Sequence, residues 1–79
     1  MEIDLEEIDL GNGLVLKHVM CDPFSTGHAA DFYEIWDIDP VDGKPIFTGD
    51  YLAYDFVIDT LKNMPFSDAA DVIVDEIFG

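Results

Sequence analysis

Eighteen Asp and Glu against three Lys and no Arg give this 79-residue chain a formal net charge of −15, roughly double the upper end of what a small domain carries for solubility. The charge excludes nucleic acid and anionic membrane as direct partners, since both are polyanions, while 49% hydrophobic residues with six Phe, three Tyr and one Trp exclude a disordered acidic tail. One cysteine, Cys21, excludes an intramolecular disulfide and a four-cysteine zinc or iron–sulfur site.

The length leaves room for one core, so residues 1–79 read as a single compact acidic domain. The N-terminus is acidic where a signal peptide starts positive, and no apolar run has the length of a membrane helix, so the expectation is a cytoplasmic protein. The chain opens with EIDL twice, at residues 2–5 and 7–10. Ile3 and Leu5 alternate with Glu2, Asp4 and Glu6, which is strand periodicity. The second copy begins five residues later, an odd offset, so a bulge at Glu6-Glu7 is needed to put Ile3, Leu5, Ile8 and Leu10 on one side of an edge strand.

Gly11-Asn12-Gly13 marks a tight turn into a strand over Leu14 to Cys21, with Leu14, Leu16, His18 and Met20 on one face. Residues 22–31, DPFSTGHAAD, form a loop longer than most hairpins. FYEIWDID, residues 32–39, is apolar on both faces and belongs at the centre of a sheet. DPVDGK reads as a turn and PIFT, residues 45–48, as a short partner strand. Asp50 then has the chemistry of an N-cap, and Tyr54, Val57, Ile58, Leu61 and Met64 recur at helical spacing until Pro65. Asp55, Asp59 and Lys62 take the other side of that helix. Ser67 suits the cap of a second helix with Ala69, Val72, Ile73 and Ile77 inward and Asp68, Asp71 and Asp75 outward. Asp68 suits the first turn, whereas Asp75 and Glu76 oppose the helix dipole at the far end. The expected fold is α+β: a small antiparallel sheet of about four strands with two C-terminal helices packed on one face.

Chemistry-bearing motifs are sparse. Between Asp37 and Gly43 the acids fall out of step with an EF-hand loop, and Thr48 stands where the closing Glu belongs, so a solvated hairpin turn is the better reading. His18, Cys21 and His28 resemble a metal set only in composition; a half-buried imidazole and a small buried thiol account for them. Phosphate loops, nucleophile elbows and HExxH patterns are missing. Two small acidic classes also fail: an acyl carrier protein needs an Asp-Ser-Leu attachment site in an all-helical chain, and a plant-type ferredoxin needs four cysteines. The expectation is no enzyme, no cofactor and no metal.

The acids themselves are the remaining signal. On one strand face they repeat about every 6.6–6.8 Å, on a helix at roughly 5–6 Å, and phosphates along one nucleic-acid strand lie roughly 6–7 Å apart. Three rows match: Glu2, Asp4 and Glu6; Asp37 and Asp39; Asp68, Asp71 and Asp75 with Glu76. Asp55 and Asp59 add a helical pair. Such rows would fill a Lys- and Arg-lined groove built for DNA. Tyr33, Trp36 and Tyr51 would serve as aromatic anchors where exposed, with core packing as their ordinary role.

Through stretches such as EIDLEEIDL and ADFYEIWDID, and through its length, acidity and mixed α+β pattern, the chain resembles the small acidic anti-CRISPR proteins of phages and mobile elements, most of all an inhibitor of a type I-C system. The resemblance implies binding to a subunit of the multisubunit surveillance complex (Cascade), at its Lys-rich DNA-recognition surface, by a monomer acting in the host cytoplasm. It transfers no individual functional residue. An acidic immunity or antitoxin protein occupying a basic nuclease is the alternative. A halophile's domain acidic for solubility alone and a small metal-dependent enzyme are two further readings, to be separated by salt-dependent and metal-dependent stability.

Overall fold

A computed structural model describes residues 4–79. Four strands, β1 (Glu7–Asp9), β2 (Leu14–Cys21), β3 (Ala30–Ile38) and β4 (Pro45–Ala53), precede two helices, α1 (Tyr54–Asn63) and α2 (Phe66–Phe78). The strands pair antiparallel in the order β1-β2-β3-β4, so each neighbour in sequence is a neighbour in space. The α+β architecture expected from the pattern is the one observed, with FYEIWDID between two partners.

The first hairpin closes where its glycines allow. Gly11 and Gly13 take φ of 83° and 75°, a region open to glycine and strained for most other residues. The Leu10 amide donates to the Leu14 carbonyl at 3.0 Å, and the register then runs Ile8 opposite Leu16 and Leu16 opposite Ile35. Period two therefore places Ile8, Leu14, Leu16, Tyr33, Ile35 and Leu52 on one face. Val57 of α1 and Ala70 and Ile73 of α2 close over them in one hydrophobic core. Ile8, Leu16, Val57 and Ile73 are at most 1% exposed, and each such aliphatic contributes about 1.5–3 kcal/mol on leaving water. No helix among the described residues is long and apolar enough to cross a membrane.

Five local expectations are corrected. The chain enters β1 through a turn, not a bulged strand: the Glu6 amide donates to Asp4 Oδ1 at 3.0 Å, and Leu5 is left 42% exposed. Ile3 lies outside the described residues. β4 is nine residues long, more than twice the PIFT segment, because an irregularity between Glu34 and Trp36 lets β4 continue pairing past it. There Tyr51 opposes Glu34 and Phe47 opposes Trp36. β4 thus carries two extra residues, an even number, so its side chains keep their faces. Gly49, at φ 89°, sits in the irregularity, and Thr48 Oγ1 donates to the Ile35 carbonyl at 2.8 Å.

Strand therefore extends through Asp50, which caps nothing; Ala53 precedes α1 with no side-chain cap. Before α2, Met64 is extended at φ −155°, ψ 162°, as a residue ahead of proline must be. Pro65 occupies the N-cap position, and its carbonyl accepts the Ala69 amide at 2.9 Å, which places Ser67 inside the first turn. On α2, Ala70 is buried with Ala69 and Ile73, while Val72 is 40% exposed. At 100° per residue, Val72 lies on the side of the acids rather than of the core.

Candidate partner-binding surfaces

The fold sorts the acidic rows. Of the first, Glu2 lies outside the described residues, Asp4 accepts the Glu6 amide, and Glu6 is turned toward His18. These residues form a turn, so the strand spacing expected of them does not apply. The second row is also broken: Asp37 belongs to β3, but Asp39 lies beyond its end and binds the Val41 amide through Oδ1 at 2.7 Å. The helical acids keep their geometry. Asp55 and Asp59 stand one turn apart on α1, and Asp68, Asp71 and Asp75 stand three and four residues apart on α2; all five, with Glu76, are exposed. With 100° per residue, both groups point away from the buried stripe of their helix.

This charge has little local offset: among the described residues Lys62, in the last turn of α1, is the one basic residue on either helix, and it forms no ion pair. Both ion pairs among the described residues belong to His18, and no lysine pairs with a carboxylate there. The last turn of α2 has no basic residue, so Asp75 and Glu76 face the negative end of the dipole uncompensated.

The sheet has a second, quite different face. Residues alternating with the core present Phe32, Glu34 and Trp36 from β3, Phe47 and Tyr51 from β4, and Val15, Lys17, Val19 and Cys21 from β2. Among the described residues, no helix covers them. Their rings form a chain: Phe24 from the loop after β2 meets Phe32 at 5.9 Å, Phe32 meets Tyr51 at 6.3 Å, Tyr51 meets Phe47 at 5.5 Å and Phe47 meets Trp36 at 5.4 Å. All four separations fall in the favourable range for aromatic pairs, and the first three are edge-to-face. Lys17 Nζ ends the row 4.3 Å above the Trp36 ring. Burial and the nearby Cys21 and Glu34 raise the Tyr51 hydroxyl's pKa above its ordinary value.

Trp36 and Tyr51 therefore stand where anchors would, half-buried on an uncovered face. Tyr33 does not: it is fully buried, and its hydroxyl donates to the Leu5 carbonyl at 2.7 Å. Burial, with negative charge from Tyr54, Glu6 and Asp4, pushes its pKa up to about 12. Sequence reasoning missed Phe24, Phe32 and Phe47 as a group. The sequence marks FYEIWDID as apolar on both faces, and only the pairing with a nine-residue β4 joins its Phe32, Glu34 and Trp36 side to Phe47 and Tyr51.

A third cluster surrounds His18. Its Nδ1 lies 3.1 Å from Glu6 Oε2 and its Nε2 3.0 Å from Asp31 Oδ1. Its ring packs against Tyr33 and Tyr54 at 5.7 and 4.9 Å, and those two rings stack with an interplanar angle of 7°. Only the imidazolium can donate to both carboxylates. Desolvation pulls its pKa down, but the hydrogen bonds and charges of Asp31 and Glu6 outweigh it, and the pKa is raised above 6.5. With both nitrogens engaged, His18 is turned away from the metal set that its spacing to Cys21 and His28 resembled. Among the described residues, no three His, Cys, Asp or Glu are grouped to hold a metal ion. In the loop after β2, Asp22 gathers the Phe24, Gly27 and His28 amides. Hydrogen bonds from Thr26 first, then from Gly27 and His28, hold its pKa low.

No protein-family model matches the chain, and comparison with curated proteins and with solved structures finds no match.

Proposed function

We propose that this protein is an inhibitor that occupies the basic DNA-recognition surface of a nucleic-acid-binding assembly, with the acids of α1 and α2 standing in for a phosphate row. The observation that supports this most directly is the unneutralised charge of the helices. Asp55, Asp59, Asp68, Asp71, Asp75 and Glu76 are exposed, no lysine pairs with them, and two of them sit where the α2 dipole is unfavourable. Acids placed for helix stability would cluster at the start of α2, as Asp68 alone does. Neighbours three or four residues apart stand roughly 5–6 Å from one another, close to the phosphate repeat of roughly 6–7 Å along one strand.

The type I-C surveillance complex is the proposed target, through the resemblance of EIDLEEIDL and ADFYEIWDID. Blockade there requires no cofactor and no chemistry from the inhibitor: the filled groove cannot admit duplex. A gel-shift competition tests it. Type I-C complex is mixed with target duplex, and the protein is added at rising ratios at two salt concentrations. Loss of the shifted band near equimolar protein, relieved at high salt, is the expected result. A band that persists at all ratios removes this target and transfers the same surface to a basic nuclease, for which inhibition of cleavage is the readout.

A further inference from the structure

The uncovered sheet face is more specific than a patch of exposed apolar surface. It is a row of five rings with a carboxylate set into it and a cation already seated at one end. Glu34 is half-buried within the row and accepts the Trp36 indole N–H through Oε1 at 3.3 Å. Lys17 is the cross-strand partner of Glu34, yet its ammonium rests over Trp36 and forms no ion pair with Glu34. The ring face is thus a place where a cation settles in this molecule. Phe47 is 36% and Phe24 72% exposed, so a large part of the row meets solvent.

We infer that the face formed by Phe24, Phe32, Tyr51, Phe47 and Trp36 is a docking surface for an arginine-bearing segment of a protein partner. Charge decides the occupant. A chain at −15 repels nucleic acid and a second copy of itself, and attracts a cationic surface. The rings decide which cation: a planar, weakly hydrated guanidinium stacks on aromatic faces and can meet a carboxylate through its remaining N–H groups, whereas an ammonium is compact and strongly hydrated. Glu34, within the row, supplies that carboxylate. The chain itself contains no Arg, so every guanidinium on this face must come from outside. This surface lies on the opposite side of the sheet from the helical acids and does not depend on the mimicry reading.

Trp36 is the chain's one tryptophan, which makes its emission a direct reporter. The full chain is titrated with hexa-arginine and hexa-lysine peptides at physiological salt, for the parent protein and for Phe47→Leu and Tyr51→Leu. These variants keep apolar bulk but remove a ring, and thermal melts establish that they fold. The expected result is a saturable change in Trp36 emission with hexa-arginine, at least about five-fold tighter than with hexa-lysine, and a loss of that preference in either Leu variant. Asp71→Lys with Asp75→Lys should weaken both peptides alike and leave the preference intact, so failure of the helical reading and failure of this one are separable. Equal affinity for the two peptides, or a preference unchanged by Phe47→Leu and Tyr51→Leu, overturns the inference. Dimerisation in sedimentation that those Leu variants abolish overturns it in favour of a second copy.

Discussion

His18 shows what one protonation does in a chain with this charge. Its partners come from three places: Glu6 ahead of β1, Asp31 and Tyr33 on β3, and Tyr54 on α1. Because its pKa is raised in the folded state, its contribution to stability is fully present below 6.5, the value in the unfolded chain, and is lost as pH rises through the folded value. Thermal melts between pH 5.5 and 9 should therefore show a midpoint that declines above about pH 6.5, and His18→Gln should flatten that decline. A slope identical in the variant would assign it to other groups. Little of this cluster could be read from the sequence: His18 and Asp31 are thirteen residues apart, and only strand register brings them together. Tyr33 is the counterpart. The sequence left it open as an anchor or a core residue, because which face of β3 the helices cover is a tertiary choice; they cover the side that carries Tyr33 and Ile35.

At the scale of elements, periodicity carried the reading. Leu14–Cys21 emerged with the bounds its alternation implied, and β3 took its central place between β2 and β4, although the helices cover only its Tyr33 and Ile35 face. β4 and the start of α1 did not emerge so well. The sequence GDYLA carries a glycine and an N-cap residue, local signals for an ending, but strand pairing with β3 overrides both and runs on to Ala53. For the candidate site, helical rows could be recognised by spacing alone, while strand rows depended on strands that the fold does not make at residues 4–6 or at Asp39. The helical acids give the sharpest test. Asp71→Lys with Asp75→Lys should leave the melting temperature within a few degrees, since both are exposed and such surface changes usually alter stability by less than about 0.5 kcal/mol each. It should nevertheless weaken binding to the surveillance complex by about ten-fold or more, read by the same gel-shift titration. Unchanged binding would take this row out of the interface.

The whole molecule is two-sided. Helices with outward acids cover one face of the sheet, and a row of rings occupies the other. With fifteen net negative charges and no lysine–carboxylate pair among the described residues, self-repulsion opposes the compact state. Screening relieves it: the Debye length falls from roughly 30 Å at 0.01 M salt to about 8 Å at 0.15 M. The melting temperature should rise across that interval and then level off. A rise that continues steeply through molar salt would instead favour a domain adapted to a halophile's cytoplasm. Composition alone announced the charge; its separation from the rings is a property of the fold.

The nine-residue β4 has a further consequence. It is an edge strand, with residues 45–50 exposed, and an edge of that length offers its unpaired backbone groups to any neighbouring chain. Pro45 and the irregularity at Gly49 interrupt the template, but the general protection is mutual repulsion between copies. That protection is conditional on pH, because the sequence pI is about 4.1. Around pH 4, copies that keep apart at neutrality should join edge to edge, visible as light scattering and thioflavin binding that are reversed or prevented at pH 7. The acidity that sets the net charge at −15 would thus also keep copies of the chain from growing into fibrils at neutral pH.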